Sequence, residues 1–378
     1  MLRTLGTSLV IGEMMRGTPV VYIDYTDCDE ISHHTGPERP ESLDALDGVD
    51  RELGRLALVA ADAARPYRFV VVADHGQTLS TTFLQRYGVR LEGVVRSLMD
   101  GQAPVAAATV QVEGWGPLNA LVSELARTRG ITGGVARLLS RRRGSSVLGP
   151  SAMQTPGGRK TAPDGAPEGG TAAADLVVAA GGNLAHVYFT ASQGRLLLED
   201  LERLHPGLAA GLASHPGIGA VLVRSRDHGL VALGGDGTRF VDEDRVEGVD
   251  PLAVYEGNAL AAVQRLDGLA HVGDLIVISL CDPEAWQVAA FEELVGAHGG
   301  LGGPQTRPFL LYPANWQLDL APLVGAPMVH QQLRRWMEGE LGMTFPAGRA
   351  AAATRDGMGG QVIPPAGAPV GTGAEGPG

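Results

Sequence analysis

The stretch FVVVADHG, residues 69–76, decides how the chain is read. A short apolar run of β-branched and aromatic residues predicts a buried strand. Asp74, His75 and Gly76 end it with two potential ligands and a residue that permits a sharp turn. Upstream, PVVYID at residues 19–24 has the same character and predicts a second buried strand. Between them Pro40 opens a helical pattern with Leu43, Leu46, Val49, Leu53 and Leu56 on one stripe. Strand, helix and strand predict a βαβ unit with a right-handed crossover and parallel strands. The segments at 24–34 and 74–75 then follow the carboxyl ends of these strands, where open α/β sheets bind ligands. Asp24–His34 and Asp74–His75 are therefore expected to be neighbours in space. Before the first strand, LRTLGTSLVIGEMMR reads as an amphipathic helix.

The segment DYTDCDEISHHTGPE, residues 24–38, crowds five carboxylates and two adjacent histidines together. Carboxylates repel one another at neutral pH, so a metal ion, a basic neighbour or water must make the crowding tolerable. The whole chain of 378 residues carries a formal charge of −12, with a pI near 5.3. That balance argues against nucleic acid or an anionic membrane as a partner, and it suits a protein that holds cations. Cys28 and Cys281 make no disulfide framework. The sequence contains no apolar run long enough to predict a membrane span, and its first residues do not read as a signal peptide.

Composition divides the chain into four stretches. Residues 1–140 form the first part of an α/β domain. Residues 141–174 are rich in Gly, Pro, Ser and Ala and read as a disordered linker or insert. Residues 175–345 are the remainder of the domain, and 346–378 read as a disordered tail. Within the third stretch DLVVAAGGNLAHVYFT predicts a strand pair, and GAVLVRS and GLVALGG predict two more strands. DLIVISL predicts a buried strand, a helix is expected from about Pro283 to Val295, and PFLLYP reads as a last strand.

Asp29 and His33 stand four apart, which on a helical turn or in a tight loop sets a carboxylate and an imidazole on one side. Both are ordinary ligands of zinc and manganese. Taken alone, the segment reads equally as a solvated acidic loop. Asp24 or Asp27 could serve instead of Asp29, and His34 instead of His33. Asp74-His75-Gly76 can offer two ligands to one ion, or can be a plain strand-end turn. The same tripeptide recurs at Asp227-His228-Gly229 between two alternating apolar runs, and there it reads as a hairpin turn with no chemistry. His298 begins a glycine-rich loop, HGGLGG, and is read as following a helix, whose C-terminus favours glycine and histidine. Cys28 reads as a small buried residue rather than a thiolate ligand.

Together DEISHHTGP, ALDGVDRELGRL, FVVVADHG and FEELVGAHGGLGG resemble, in this order, the type I phosphodiesterase/nucleotide pyrophosphatase family of the alkaline phosphatase superfamily. CDEISHHTGPE, RPYRFVVVADHGQ and FLQRYG are similar to an actinobacterial group within it, and the likeness runs from about residue 3 to 315 outside the insert. The resemblance implies an alkaline-phosphatase-like α/β/α sandwich with a mostly parallel sheet. It implies that Asp29, His33 and His298 bind one metal ion, and that Asp74 and His75 bind a second. His33 takes precedence over His34 because the family's ligand stands two residues before Gly-Pro, here Gly36-Pro37. The resemblance implies that both divalent ions are zinc, with manganese as the alternative, and that the substrate is a small phosphate ester attacked by a Thr or Ser hydroxyl. The family places a further Asp and that nucleophile well ahead of the acidic segment. Thr4, Thr7, Ser8, Thr18, Tyr22, Tyr25 and Thr26 are not in that setting, so the chain is expected to correspond to the C-terminal part of the family's enzyme. The alternative expectation is a non-catalytic metal-binding protein or partner subunit. A sulfatase is disfavoured, since Cys281-Asp-Pro-Glu-Ala lacks the final arginine of the sulfatase motif.

Overall fold

Among the described residues, the strands of the later part of the chain are joined mainly by hairpins. A computed structural model describes residues 2–99, 105–109, 176–255 and 257–342. The expected linker at 141–174 and tail at 346–378 lie outside the described residues. The described residues group into two compact units, one up to Asn315 and one from Trp316 onward.

In the first unit, helix α1 spans Leu2–Arg16, as the amphipathic pattern predicts. Helix α2 spans Asp27–Thr35, so the acidic segment is helical rather than a loop, with Asp27, Asp29 and Glu30 in its first turn. Carboxylates there complement the positive end of the helix dipole. Helix α3 spans Pro40–Ala60 with proline at its start. Its buried face shares only Leu56 with the predicted leucine stripe. Ser42, Ala45, Gly48, Glu52 and Leu56 turn inward, while Leu43 and Leu46 are about half exposed. The small and polar face accepts neighbouring helices closely: Ser42 Oγ bonds Gly36 O at 2.7 Å and Thr35 Oγ1 at 2.9 Å.

The βαβ expectation is corrected. Residues 19–24 form no strand. Val21 and Ile23 pack on Val10, Met14 and Leu56, and Val20 and Tyr22 face solvent. The later run shortens to β1, Val71–Val72, which pairs antiparallel with β13, Leu310–Leu311. Strand β2, Thr78–Thr82, lies between β11, Val288–Ala290, and β12, Gly296–Ala297. Short helices α4, Phe83–Tyr87, and α5, Leu91–Leu98, follow β2. The helix expected at 283–295 is absent, and β11 occupies part of that span. Asp282 Oδ1 accepts the backbone N–H groups of Glu284 and Ala285 at 2.9 and 3.0 Å, as an N-cap would, but the turn goes no further because Val288–Ala290 pairs with β2.

The largest described sheet orders its strands β3-β4-β5-β10-β6-β7-β8-β9. These are Val105–Thr109, Leu176–Gly181, Leu184–Phe189, Leu275–Ser279, Ile218–Ser225, Gly229–Leu233, Gly237–Phe240 and Arg245–Gly248. The mostly parallel sheet is not what the described strands form. The parallel pairings among them are β3–β4 and β11–β2. Tight turns explain the difference: β4–β5 and β6–β7 are hairpins, and a hairpin can join antiparallel strands only. Alternate side chains of β10 supply two cores. Leu275 and Val277 join helices Leu198–Leu204, Leu208–Ala213 and α5 on one face. Ile276 and Ile278 join helix Ala259–Asp267 on the other. The result is a mixed α/β architecture, with helices on both sides of the sheet.

In the second unit, helix Gly325–Leu341 holds the segment before it. Buried Gln332 accepts the backbone N–H groups of Asp319 and Leu320 at 3.0 Å each. No helix among the described residues is long and apolar enough to cross a membrane.

Candidate metal centre

Three pieces of backbone converge on one place. The first turn of α2 carries Asp29 and, one turn later, His33. The turn after β1 carries Asp74 and His75, and the residue after β12 is His298. Pairing of β12 with β2 sets Ala297 opposite Thr78, so the chain ends flanking these strands meet. The end of α2 docks on the entry to β12: Val295 N donates to His33 O at 2.8 Å. Gly76 is needed for close approach, since a side chain there would collide with the Pro304 carbonyl. Gly182, in the β4–β5 turn at φ +59°, likewise lies against the His298 carbonyl.

The five expected residues are therefore neighbours. Asp29 Oδ2 lies 3.4 Å from His33 Nε2, and Asp29 Oδ1 lies 3.8 Å from His298 Nε2. The His75 and His298 rings stack with centroids 3.7 Å apart, and His33 and His298 are 4.9 Å apart. Asp29, His75 and His298 each offer one atom, all within 4.8 Å of one another. Asp74 stands at the edge, with its side chain 86% exposed and its Oδ2 3.5 Å from His75 Nε2. Asp27 is drawn away by Arg3, and His34 pairs with Glu30 on the solvent side. Asp24 lies in the same field: burial, then Asp74 and Asp29, push its carboxyl up.

Backbone carbonyls fix the imidazole protons. His33 Nδ1 donates to Gly296 O at 2.7 Å, and His75 Nδ1 donates to Gly76 O at 3.0 Å. A carbonyl oxygen only accepts, so each ring turns its Nδ1 proton to the backbone and directs Nε2 toward the other candidate ligands. His298 Nε2 is buried and makes no hydrogen bond. Ring nitrogens and a carboxylate thus face one another, an arrangement that a shared cation stabilises. The donor set fits a divalent ion of the zinc or manganese kind.

The charges agree. Burial alone would raise the Asp29 carboxyl, but hydrogen bonding and charge from His33, then Gln77 and His298, bring it down to about 2. Burial, followed by the charge of His75, lowers His298 to about 4. At neutral pH Asp29 is ionised and His298 is neutral, the protonation states that bind metal. Cys28 contributes no thiolate, because burial and then Asp27 and Asp29 push its thiol up. A small cleft of about 140 Å³, lined by His33, His298, Gly181, Gly182 and Gly299, opens beside the rings.

Gln77 is not a residue that the sequence motifs single out. Its Nε2 donates to Asp29 O at 3.0 Å and also to Asp29 Oδ1. The available signal was an amide placed directly after Asp-His-Gly. The turn at Asp227-His228-Gly229 is the expected hairpin: Ser225 Oγ accepts the backbone N–H groups of Asp227 and His228 at 3.2 and 3.1 Å.

Residues 10–122 match the family described as type I phosphodiesterase / nucleotide pyrophosphatase, the family that the motifs resemble. The matched span contains Asp29, His33, Asp74 and His75 and ends before His298. No curated protein and no solved structure matches the chain.

Proposed function

We propose that this chain is a metal-dependent phosphoric ester hydrolase of the phosphodiesterase/nucleotide pyrophosphatase kind, within the alkaline phosphatase superfamily. The family match over residues 10–122 supports phosphoester hydrolysis as the kind of chemistry. The observation that carries the metal reading is the convergence of Asp29, His75 and His298 within 4.8 Å from three distant stretches. Asp29, His33 and His298 would hold the first ion, with His75 and Asp74 turned toward a second. Bound divalent ions supply positive charge to a phosphoryl oxygen and to the oxygens that attack and leave.

The chain's own residues have defined tasks in this reading. The carbonyls of Gly296 and Gly76 hold the Nδ1 protons of His33 and His75, so that Nε2 faces the centre. The Asp29 carboxylate supplies negative charge without needing a pH above neutrality. The attacking hydroxyl is not assigned to this chain. Thr7 Oγ1 bonds Arg3 O and Tyr25 OH at 3.1 and 2.8 Å, and Ser8 Oγ bonds Thr4 O at 2.8 Å. Thr18 Oγ1 bonds Glu13 at 2.6 Å.

A second reading, a metal-binding protein or partner subunit without turnover, is favoured by the exposure of Asp74 and by the grouping of His75 with Asp29 and His298 in one cluster. Hydrolysis of bis-p-nitrophenyl phosphate with added zinc or manganese decides between them. Turnover by the purified chain that disappears in His75→Ala supports the hydrolase. Bound metal with no turnover supports the second reading, and a chain that binds neither ion removes both.

A further inference from the structure

We propose that Gln77 is a positioning residue that grips Asp29 by main chain and side chain at once, and so fixes the carboxylate for cation binding. The inference rests on the metal reading above. A primary amide nitrogen carries two hydrogens. Gln77 Nε2 directs its bonds to Asp29 O at 3.0 Å and to Asp29 Oδ1. Reversing the amide would set its oxygen against a carbonyl and a carboxylate, so the donor side must face Asp29. On its other side the amide meets β12, where a side chain at Gly296 would strike Gln77 Oε1 and the Ser32 carbonyl. The amide is thus held between helix α2 and strand β12.

That position has a mechanical result. The far end of α2 is tied down by the bonds of His33 to Gly296 and Val295. Gln77 ties down the near end, where Asp29 sits in the first turn. With Oδ1 engaged by an amide hydrogen, the carboxylate plane cannot swing toward solvent, although the side chain is 36% exposed. Oδ2 stays directed at His33 Nε2. Groups that orient metal ligands in this way are worth roughly 10–100-fold in metal affinity.

The test compares Gln77→Met, similar in size but without a donor, with Ser80→Ala. The second variant removes the 2.6 Å bond from Ser80 Oγ, in strand β2 just after Gln77, to Leu294 O. Zinc affinity is measured by competition with a chromophoric chelator, the coordination geometry by the visible spectrum of the cobalt form, and the metal-free fold by its thermal midpoint. Gln77→Met is expected to weaken zinc binding roughly 10–100-fold and to change the cobalt spectrum. Ser80→Ala is expected to lower the midpoint and leave affinity and spectrum as they are. Unchanged affinity and spectrum in Gln77→Met would overturn the proposal while leaving the metal reading intact. Equal loss of affinity in both variants would overturn it in favour of general destabilisation. A wild-type chain that binds no zinc or cobalt overturns the metal reading and this inference with it.

Discussion

His298 takes up a proton more readily in the unfolded chain, where its ordinary value is 6.5, than in the fold, where it titrates near 4. Between those limits the unfolded state binds more protons, so stability rises with pH across the window. In chelator, the thermal midpoint should be level above pH 7 and fall as pH drops from 6.5 toward 4. Asp29 acts lower down: its ordinary value of 3.8 falls to about 2, so its contribution is present above 3.8 and lost as pH falls through 2. In scanning calorimetry, His298→Gln should flatten the upper limb and keep the lower one, and an unaltered upper limb would show the assignment to be wrong. Saturating zinc should raise the wild-type midpoint near pH 7, by about 2.7 kcal/mol of stability at a hundredfold excess over Kd. EDTA should reverse the shift, and His298→Ala should lack it. The candidate ligands were legible only through the family resemblance, since each motif taken alone reads equally as a loop or a turn. Their grouping was not, because the meeting of His75 with His298 depends on the register of β2 with β12. Gln77 escaped notice for the same reason, since an amide acquires its role only when α2 is laid across it.

Helix α3 shows where the reading of elements succeeds and where it stops. Its span follows from Pro40 and the spacing of apolar residues, and α1 and the two hairpins were equally plain. Its inward face was mistaken because the deciding partner is 45 residues away. Arg3 lays its guanidinium where a side chain at Gly48 would have to stand, and from there it binds Asp27 at the start of α2. Thr4 and Arg55 hold buried Glu52 one turn on, at 3.4 and 2.8 Å. No helical periodicity contains this information. Gly→Ala in a helix interior ordinarily stabilises by about 1 kcal/mol. Gly48→Ala should gain less than that, or lose, because Arg3 must leave Asp27. In the Arg3→Met background the ordinary gain should return, with a coupling on the order of 1 kcal/mol in urea unfolding. Strict additivity of the two substitutions would remove Arg3 as the reason for the glycine. The helix expected at 283–295 fails because composition permits either form there and pairing with β2 decides for the strand.

Over the first unit as a whole, apolar side chains remain open along the extended segments that lead to the metal centre. Val20, Tyr22, Val72, Phe309 and Leu311 are exposed, Tyr22 by 81%. Exposed apolar side chains beside short strand edges favour association. The folded chain should bind a hydrophobic dye such as ANS, and its sedimentation coefficient should increase with concentration. Val20→Lys combined with Leu311→Lys should suppress both effects and leave zinc affinity alone, whereas persistent association in that variant would place the sticky surface elsewhere. The hydrogen bond from His33 to Gly296 spans 263 positions of the chain. Contacts of such long sequence separation form late, because closing so large a loop costs entropy before any bond rewards it. Capture of an ion should then be among the last events of refolding: in stopped-flow experiments, a zinc-sensitive signal should trail the recovery of far-ultraviolet ellipticity, making the ion a timer for completion of the native state.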